Sequence, residues 1–222
     1  MYCCQVVIHG RPFLRRLINK SHSVSYLHYN VHLSASDRQD IHWWNDLLQQ
    51  WNGVSLFRFL KWESLPDFEI SSDAAKSKGF GIIYGSSWCF GLWPTKMGVK
   101  VSIAALELIP VVVAAHLWGD SWERKRIVFN VDNQSVVDAI NSGLPKDNHL
   151  SFLIRELAKL SVLHSFSYKA SHVRGINNKP ADALSRGKIS LFRTLCPDSK
   201  ASPCQVPSSL LNNLVFHSQT VT

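Results

Sequence analysis

Four carboxylates occupy positions where a charge is expensive. Asp73 ends an otherwise apolar run, Glu107 lies between Leu106 and Leu108 in the apolar stretch Ile103–Ala115, Asp132 closes the run Ile127–Val131, and Asp182 falls just after Pro180. An ionised carboxylate in apolar surroundings is costly unless it is paired or bound to a cation. Several converging carboxylates repel one another, which raises their pKa values until a divalent cation neutralises them. Hard oxygen donors without Cys or His favour Mg²⁺ or Mn²⁺. Each acid also has an ordinary reading. An Asp after a strand can be a turn residue or helix N-cap, an Asp at a helix start can be a dipole partner, and a helix rim can expose a single Glu. The ordinary readings weaken when all four are taken together.

The elements that must position these acids follow from periodicity and turn signals. Phe68–Ala74, Gly81–Tyr84 and Trp88–Trp93 read as three strands joined at Lys78-Gly79 and Gly85-Ser86. A helix over Ser102–Trp118 follows, with Ser102 as N-cap. Arg126–Val131 reads as a buried strand, Gln134–Asn141 as a short helix ended by Ser142-Gly143, and Leu150–Leu163 as a longer amphipathic helix. Ser165–Ala170 is expected to be the fifth strand, and Pro180–Arg186 a final helix with Pro in its first turn. The string is an α/β layout. Ahead of it, residues 1–66 read as helical, with Ser36 and Gln39 resembling a capping box. Residues 188–222 are rich in Ser, Pro and Asn and are expected to be a linker or disordered tail. The expected division is therefore 1–66, 67–187 and 188–222.

Composition excludes several classes. In 222 residues, 45% are hydrophobic and 18% charged, enough apolar side chain for a core and too much for a disordered chain. Five cysteines form no CxxC pair, which argues against a zinc ribbon or a disulfide-stapled secreted domain. His22, His28, His32 and His42 fit no closed zinc site, and no Gly-x-Ser-x-Gly elbow exists. The apolar stretch Ile103–Trp118 is broken by Glu107 and His116 and is short for a bilayer span. The N-terminus lacks a signal-peptide layout. A soluble intracellular protein, in cytoplasm or nucleus and without a membrane partner, is the expectation. The net charge of +8 is spread along the chain, with no run of five like charges, and fits a nucleic-acid partner without requiring one.

Ser71-Ser-Asp73-Ala-Ala, Ala105-Leu-Glu107-Leu, Val131-Asp132-Asn-Gln-Ser and His172-Val-Arg-Gly175-Ile-Asn177-Asn-Lys-Pro-Ala181-Asp182-Ala-Leu-Ser-Arg186 resemble the four acidic motifs of type 1 ribonuclease H. The last run is most similar to the ribonuclease H of retrotransposon reverse transcriptases, and details around Asp132 and Glu107 are closest to the DIRS-like and gypsy-like branches. Arg11-Pro-Phe-Leu-Arg-Arg-Leu17 and Asp40-Ile-His-Trp-Trp44 are similar to the thumb and connection segment that precedes that domain, while no Tyr-x-Asp-Asp polymerase motif is present. The chain is thus expected to be a piece of a retroelement polyprotein.

The resemblance implies a five-stranded mixed sheet, three antiparallel strands then two parallel ones, flanked by helices. It implies hydrolysis of the RNA strand of an RNA·DNA hybrid with two metal ions, Mg²⁺ or Mn²⁺, held by Asp73, Glu107, Asp132 and Asp182, with His172 assisting proton transfer and product release. Asn133 and Gln134 match positions that reach the minor groove, and Lys76, Lys78, Arg174 and Lys179 are the expected phosphate contacts. The polymerase part of a reverse transcriptase is the expected protein partner. The competing reading is a catalytically silent remnant or host-adopted module that binds nucleic acid. A transposase on the same kind of fold is disfavoured by the Gly-x-x-Asn run ahead of Asp182.

Overall fold

The computed structural model describes residues 10–26, 28–50, 65–94, 101–145 and 147–216. Trp51, Asn52 and Gly53, and Cys3 and Cys4, lie outside the described residues. The chain divides into two compact units, Met1–Glu63 and Ser64–Thr222.

In the first unit, α1 (Arg11–Ser21) and α2 (Ala35–Gln50) form a helical pair. Phe13 stacks on Trp43 with ring centroids 3.9 Å apart, and Arg16 bridges to Asp40 at 3.0 Å. The cap of α2 lies two residues earlier than the expected Ser36 and Gln39. Ser34 accepts from the Asp37 N–H while Asp37 Oδ2 accepts from the Ser34 N–H and hydroxyl, the same reciprocal box built with an Asp.

The second unit holds strands β1 (Phe68–Ala75), β2 (Gly79–Tyr84), β3 (Ser87–Leu92), β4 (Arg126–Val131) and β5 (Ser167–His172) in the spatial order β3-β2-β1-β4-β5. β1–β2 and β2–β3 are antiparallel, and β1–β4 and β4–β5 parallel. This is the sheet that the resemblance implies; the fold is ribonuclease H-like. β5 begins two residues later than periodicity suggested. Ser165 takes a left-handed turn (φ 55°), and parallel pairing with β4, from Arg126↔Ser167 to Val131↔His172, sets the strand. That pairing is a long-range constraint that a local pattern does not contain.

The helices are α3 (Ile103–Trp118), α4 (Gln134–Ser142), α5 (Asn148–Leu163), α6 (Lys179–Ser185), α7 (Ile189–Leu195) and α8 (Ser208–Phe216). Ser102 caps α3 by accepting from the Ala105 N–H, and Gly143 ends α4 in the left-handed region. α3 is apolar on all sides, so it must be buried on all sides; every residue from Ala105 to Ala115 is buried. With its 3-10 extension to Trp122 it is, among the described residues, the one helix long and apolar enough to cross a membrane (mean hydropathy 1.5), and 67% of that stretch is buried in the protein.

Strand alternation sorts the sheet into two faces. Ile70, Ala74, Phe80, Ile82 and Cys89 face the large core built around α3. Ile83, Trp88 and Phe90 face a smaller cluster with Ala183, Leu184 and Phe192 of α6 and α7.

The disordered tail expected for residues 188–222 is corrected over 188–216. The Lys200 N–H donates to the Ser86 carbonyl and the Cys204 N–H to the Trp88 carbonyl, covering the free edge of β3. The Arg193 guanidinium sits 4.8 Å from the Trp88 ring centroid. Leu211, Leu214 and Val215 of α8 are buried in the main core. Their i, i+3, i+4 spacing is the signal that the Ser- and Pro-rich composition concealed.

Candidate active site

The site forms where the sheet changes from antiparallel to parallel, at the carboxyl ends of β1 and β4. Ser71 and Asn130 form the last pair between these two strands. Asp73 and Asp132 each lie two residues further on, so the same register carries both acids to that end. Glu107 comes from the second turn of α3, and its carboxylate meets the Ala74 backbone. Asp73, Glu107 and Asp132 each present an oxygen such that the three atoms lie within 4.8 Å of one another. Three of the four expected acids thus converge.

The electrostatics follow from crowding and burial. Glu107 is 5% exposed and Asp73 6% exposed. Burial, then the charges of Asp73 and Asp132, push the Glu107 carboxyl from 4.5 up to about 9, opposed by the Ala74 backbone hydrogen bond. Burial also lifts Asp73 from 3.8 to about 6, with Asp132 and Asp182 adding to the rise and the Ser185 hydroxyl and Arg186 opposing it. Glu107 Oε2 is buried and, among the described residues, has no hydrogen-bond partner. A buried, unpartnered oxygen on a carboxylate ringed by two others fits a hard divalent cation. The donor set is all oxygen, which suits Mg²⁺ or Mn²⁺.

Asp182 stands apart from the group of three. It is on α6, its side chain 40% exposed, with Oδ1 2.6 Å from the Arg186 Nε one helical turn on. Its charge still reaches Asp73. α6 is not the final helix, as the sequence suggested, since α7 and α8 follow it.

The remaining expected residues lie around this centre. His172 ends β5, exposed, with Nε2 3.2 Å from the Asp132 carbonyl; a carbonyl only accepts, so Nε2 carries the proton in that bond. Asn133 caps α4, its Oδ1 accepting from the Ser135 N–H, and Gln134 Nε2 donates to Asp138 Oδ1 at 2.8 Å. Asn133 is therefore the N-cap of α4. Lys76 and Lys78 lie in the β1–β2 turn, Arg174 after β5 and Lys179 at the start of α6, all four exposed.

Three residues were not singled out from the sequence. Gly81 pairs directly with Asp73, and a Cβ there would come within 2.3 Å of Leu184 Cβ and 3.0 Å of the Ser185 nitrogen. Only glycine lets α6 lie this close to the sheet. Asn178, 2% exposed, donates from Nδ2 to the Ser72 carbonyl at 2.9 Å. Ser185, 1% exposed, donates to Asp73 Oδ2 at 2.5 Å. The Gly-x-x-Asn run ahead of Asp182 was visible in the sequence, but the partner of its Asn was not.

Residues 118–187 match a reverse transcriptase-like family. That stretch holds Asp132, His172 and Asp182 and leaves out Asp73 and Glu107. No curated protein matches the chain. Similar solved structures include the RNase H1 of the halophilic archaeon Halobacterium salinarum NRC-1, 15% identical over 55% of this chain and 97% of that one, with a TM-score of 0.42. LC11-RNase H1 in complex with an RNA/DNA hybrid is 16% identical over 56% of this chain and 99% of that one, with a TM-score of 0.42.

Proposed function

We propose that the chain hydrolyses the RNA strand of RNA·DNA hybrids as the ribonuclease H part of a retroelement reverse transcriptase. The observation that carries this reading is the meeting of Asp73, Glu107 and Asp132 within 4.8 Å at the end of β1 and β4, with a buried Glu107 oxygen left unpartnered. The motif resemblance on the same residues, and the family match over 118–187, support it. Asp73, Glu107 and Asp132 would hold divalent ions, with Asp182 completing the set once it releases Arg186. Bound there, such ions supply Lewis-acid polarisation of a phosphoryl oxygen and lower the pKa of water.

The chain's own residues do the rest. The floor made by α3 and β1 leaves Glu107 and Asp73 almost wholly buried, which fixes their carboxylates. His172, exposed beside Asp132, offers Nε2 for moving a proton once it leaves the Asp132 carbonyl. Asn133, and Gln134 once it leaves Asp138, would meet minor-groove atoms and 2′-hydroxyls, which distinguish RNA from DNA. Lys76, Arg174 and Lys179 would contact phosphates, giving binding that weakens with salt. In this reading residues 1–66 are thumb and connection, the polymerase part is the partner, the DIRS-like or gypsy-like branch is the origin, and the setting is intracellular.

The test incubates the purified protein with a hybrid labelled on its RNA strand, in Mg²⁺, in Mn²⁺ and in chelator. RNA cleavage only with metal, and none of the DNA strand, is expected. Metal-independent binding with no cleavage in either ion would favour the silent binding module instead.

A further inference from the structure

We propose that Ser185 is a positioning residue that sets the metal affinity of the site by fixing the Asp73 carboxylate and tying α6 to β1. This rests on the reading that Asp73, Glu107 and Asp132 hold a divalent ion.

The geometry is that of a two-point anchor. Asn178 and Ser185 are seven residues apart across α6, two helical turns, so they share one face of the helix. They grip consecutive residues of β1: Asn178 Nδ2 donates to the Ser72 carbonyl at 2.9 Å, and Ser185 Oγ donates to Asp73 Oδ2 at 2.5 Å. Asp182 lies between them on the same face, four residues after Asn178 and three before Ser185. The anchor therefore fixes where Asp182 stands relative to Asp73. Gly81, across from Asp73, leaves the space that this approach needs.

Ser185 has a single proton and two oxygen neighbours, Asp73 Oδ2 at 2.5 Å and the Asp182 carbonyl at 2.9 Å. The shorter contact, to a carboxylate, takes it. One Asp73 oxygen is thus held by a hydroxyl that is itself locked by burial, and the carboxylate loses the freedom to rotate away from Glu107 and Asp132. Removing such an outer partner of a metal ligand typically costs about 10- to 100-fold in metal affinity. Ser185 is 1% exposed, which keeps its hydroxyl from the surface a substrate would meet, so its loss should leave the chemistry at saturating metal largely unchanged.

The test compares the full chain with its Ser185→Ala and Ser185→Cys variants. Mn²⁺ binding is measured by calorimetry without nucleic acid, and the Mn²⁺ dependence of hybrid cleavage is measured alongside. Ala suits a helix and adds no volume, and Cys keeps the shape with a weaker donor. Both variants should bind Mn²⁺ about tenfold or more weakly, with the half-maximal metal concentration for cleavage rising by the same factor and the rate at saturating Mn²⁺ within a few-fold of the parent. If either folded variant, judged by its melting in chelator, binds Mn²⁺ as tightly as the parent, the inference is overturned while the proposed activity stands. If the parent binds neither Mn²⁺ nor Mg²⁺, the metal site itself falls, and the inference with it.

Discussion

Replacing Glu107 with Gln should make the metal-free protein more stable, and the gain should grow with pH. The carboxyl at 107 is pushed from 4.5 up to about 9 by burial and by Asp73 and Asp132. Its folded pKa lies above its unfolded one, so the native state binds more protons, and stability is lost as pH rises from about 4.5 towards about 9. Each pH unit in that window costs about 1.4 kcal/mol, which gives about 3 kcal/mol at pH 7 and under about 1 kcal/mol at pH 5. Gln has the same shape, carries no charge at any pH, and brings an N–H₂ that finds acceptors in the neighbouring carboxylates. The Ser64–Thr222 unit of Glu107→Gln should therefore melt about 6–12 °C higher than the parent at pH 7 in chelator, at about 2–4 °C per kcal/mol for a unit of this size. At pH 5 the two should nearly coincide. Mn²⁺ at a hundredfold excess over Kd should bring the two proteins level at pH 7, because the parent gains about 2.7 kcal/mol of binding energy, nearly the size of its deficit. The assay is thermal unfolding of both proteins at pH 5, 6, 7 and 8, with chelator or Mn²⁺. A gain that is absent at pH 8, or equal at pH 5 and pH 8, would refute the claim that this carboxyl is buried against two others.

Asp132→Asn should fold and melt in chelator no lower than the parent, because it relieves the repulsion on Asp73 and Glu107. It should lose hybrid cleavage by several orders of magnitude while still binding the hybrid in a filter assay; parental cleavage would mean that Asp132 is only a strand-end residue. Gly81→Ala forces its Cβ to 2.3 Å from Leu184 Cβ and 2.7 Å from the Ala181 carbonyl. Chemical denaturation should show a loss of about 1–3 kcal/mol, with weaker Mn²⁺ binding in step. Truncation after Gly187 removes Phe192, Leu211, Leu214 and Val215, all buried. At about 1.5–3 kcal/mol each the loss is on the order of 6 kcal/mol or more, so the truncated protein should lack a cooperative melt; a parental melting temperature would restore the view of that segment as a tail.

The sheet was legible where the signal was local. Arg126–Val131 is short, apolar and bounded by charges, and the strand occupies those residues. Ser102 and Gly143 mark helix ends by chemistry that needs only their immediate neighbours. The errors fall where a distant partner decides. β5 is shifted because β4 sets its register. α7 and α8 were missed because a composition rich in Ser and Pro does not reveal that β3 has an edge to cover, or that the main core has a face left for Leu211, Leu214 and Val215.

The site divides along the same line. Asp73, Glu107 and Asp132 could be found because a carboxylate in an apolar run is conspicuous in any order of residues, and Glu107 most of all, inside a helix that is apolar all round. Ser185, Asn178 and Gly81 are unremarked residue types whose meaning appears only when α6 is laid on β1 and β2. They are nevertheless what makes the acids a site. Three carboxylates buried together without a cation oppose folding: burial first, and then their mutual repulsion, raises the pKa values of Asp73 and Glu107. Some part of the fold must hold them in place against that repulsion. The buried anchors of α6 on Ser72 and Asp73 and the apolar packing around α3 do so. The conspicuous residues carry the proposed chemistry, and the inconspicuous ones supply the stability that lets those charges stay close.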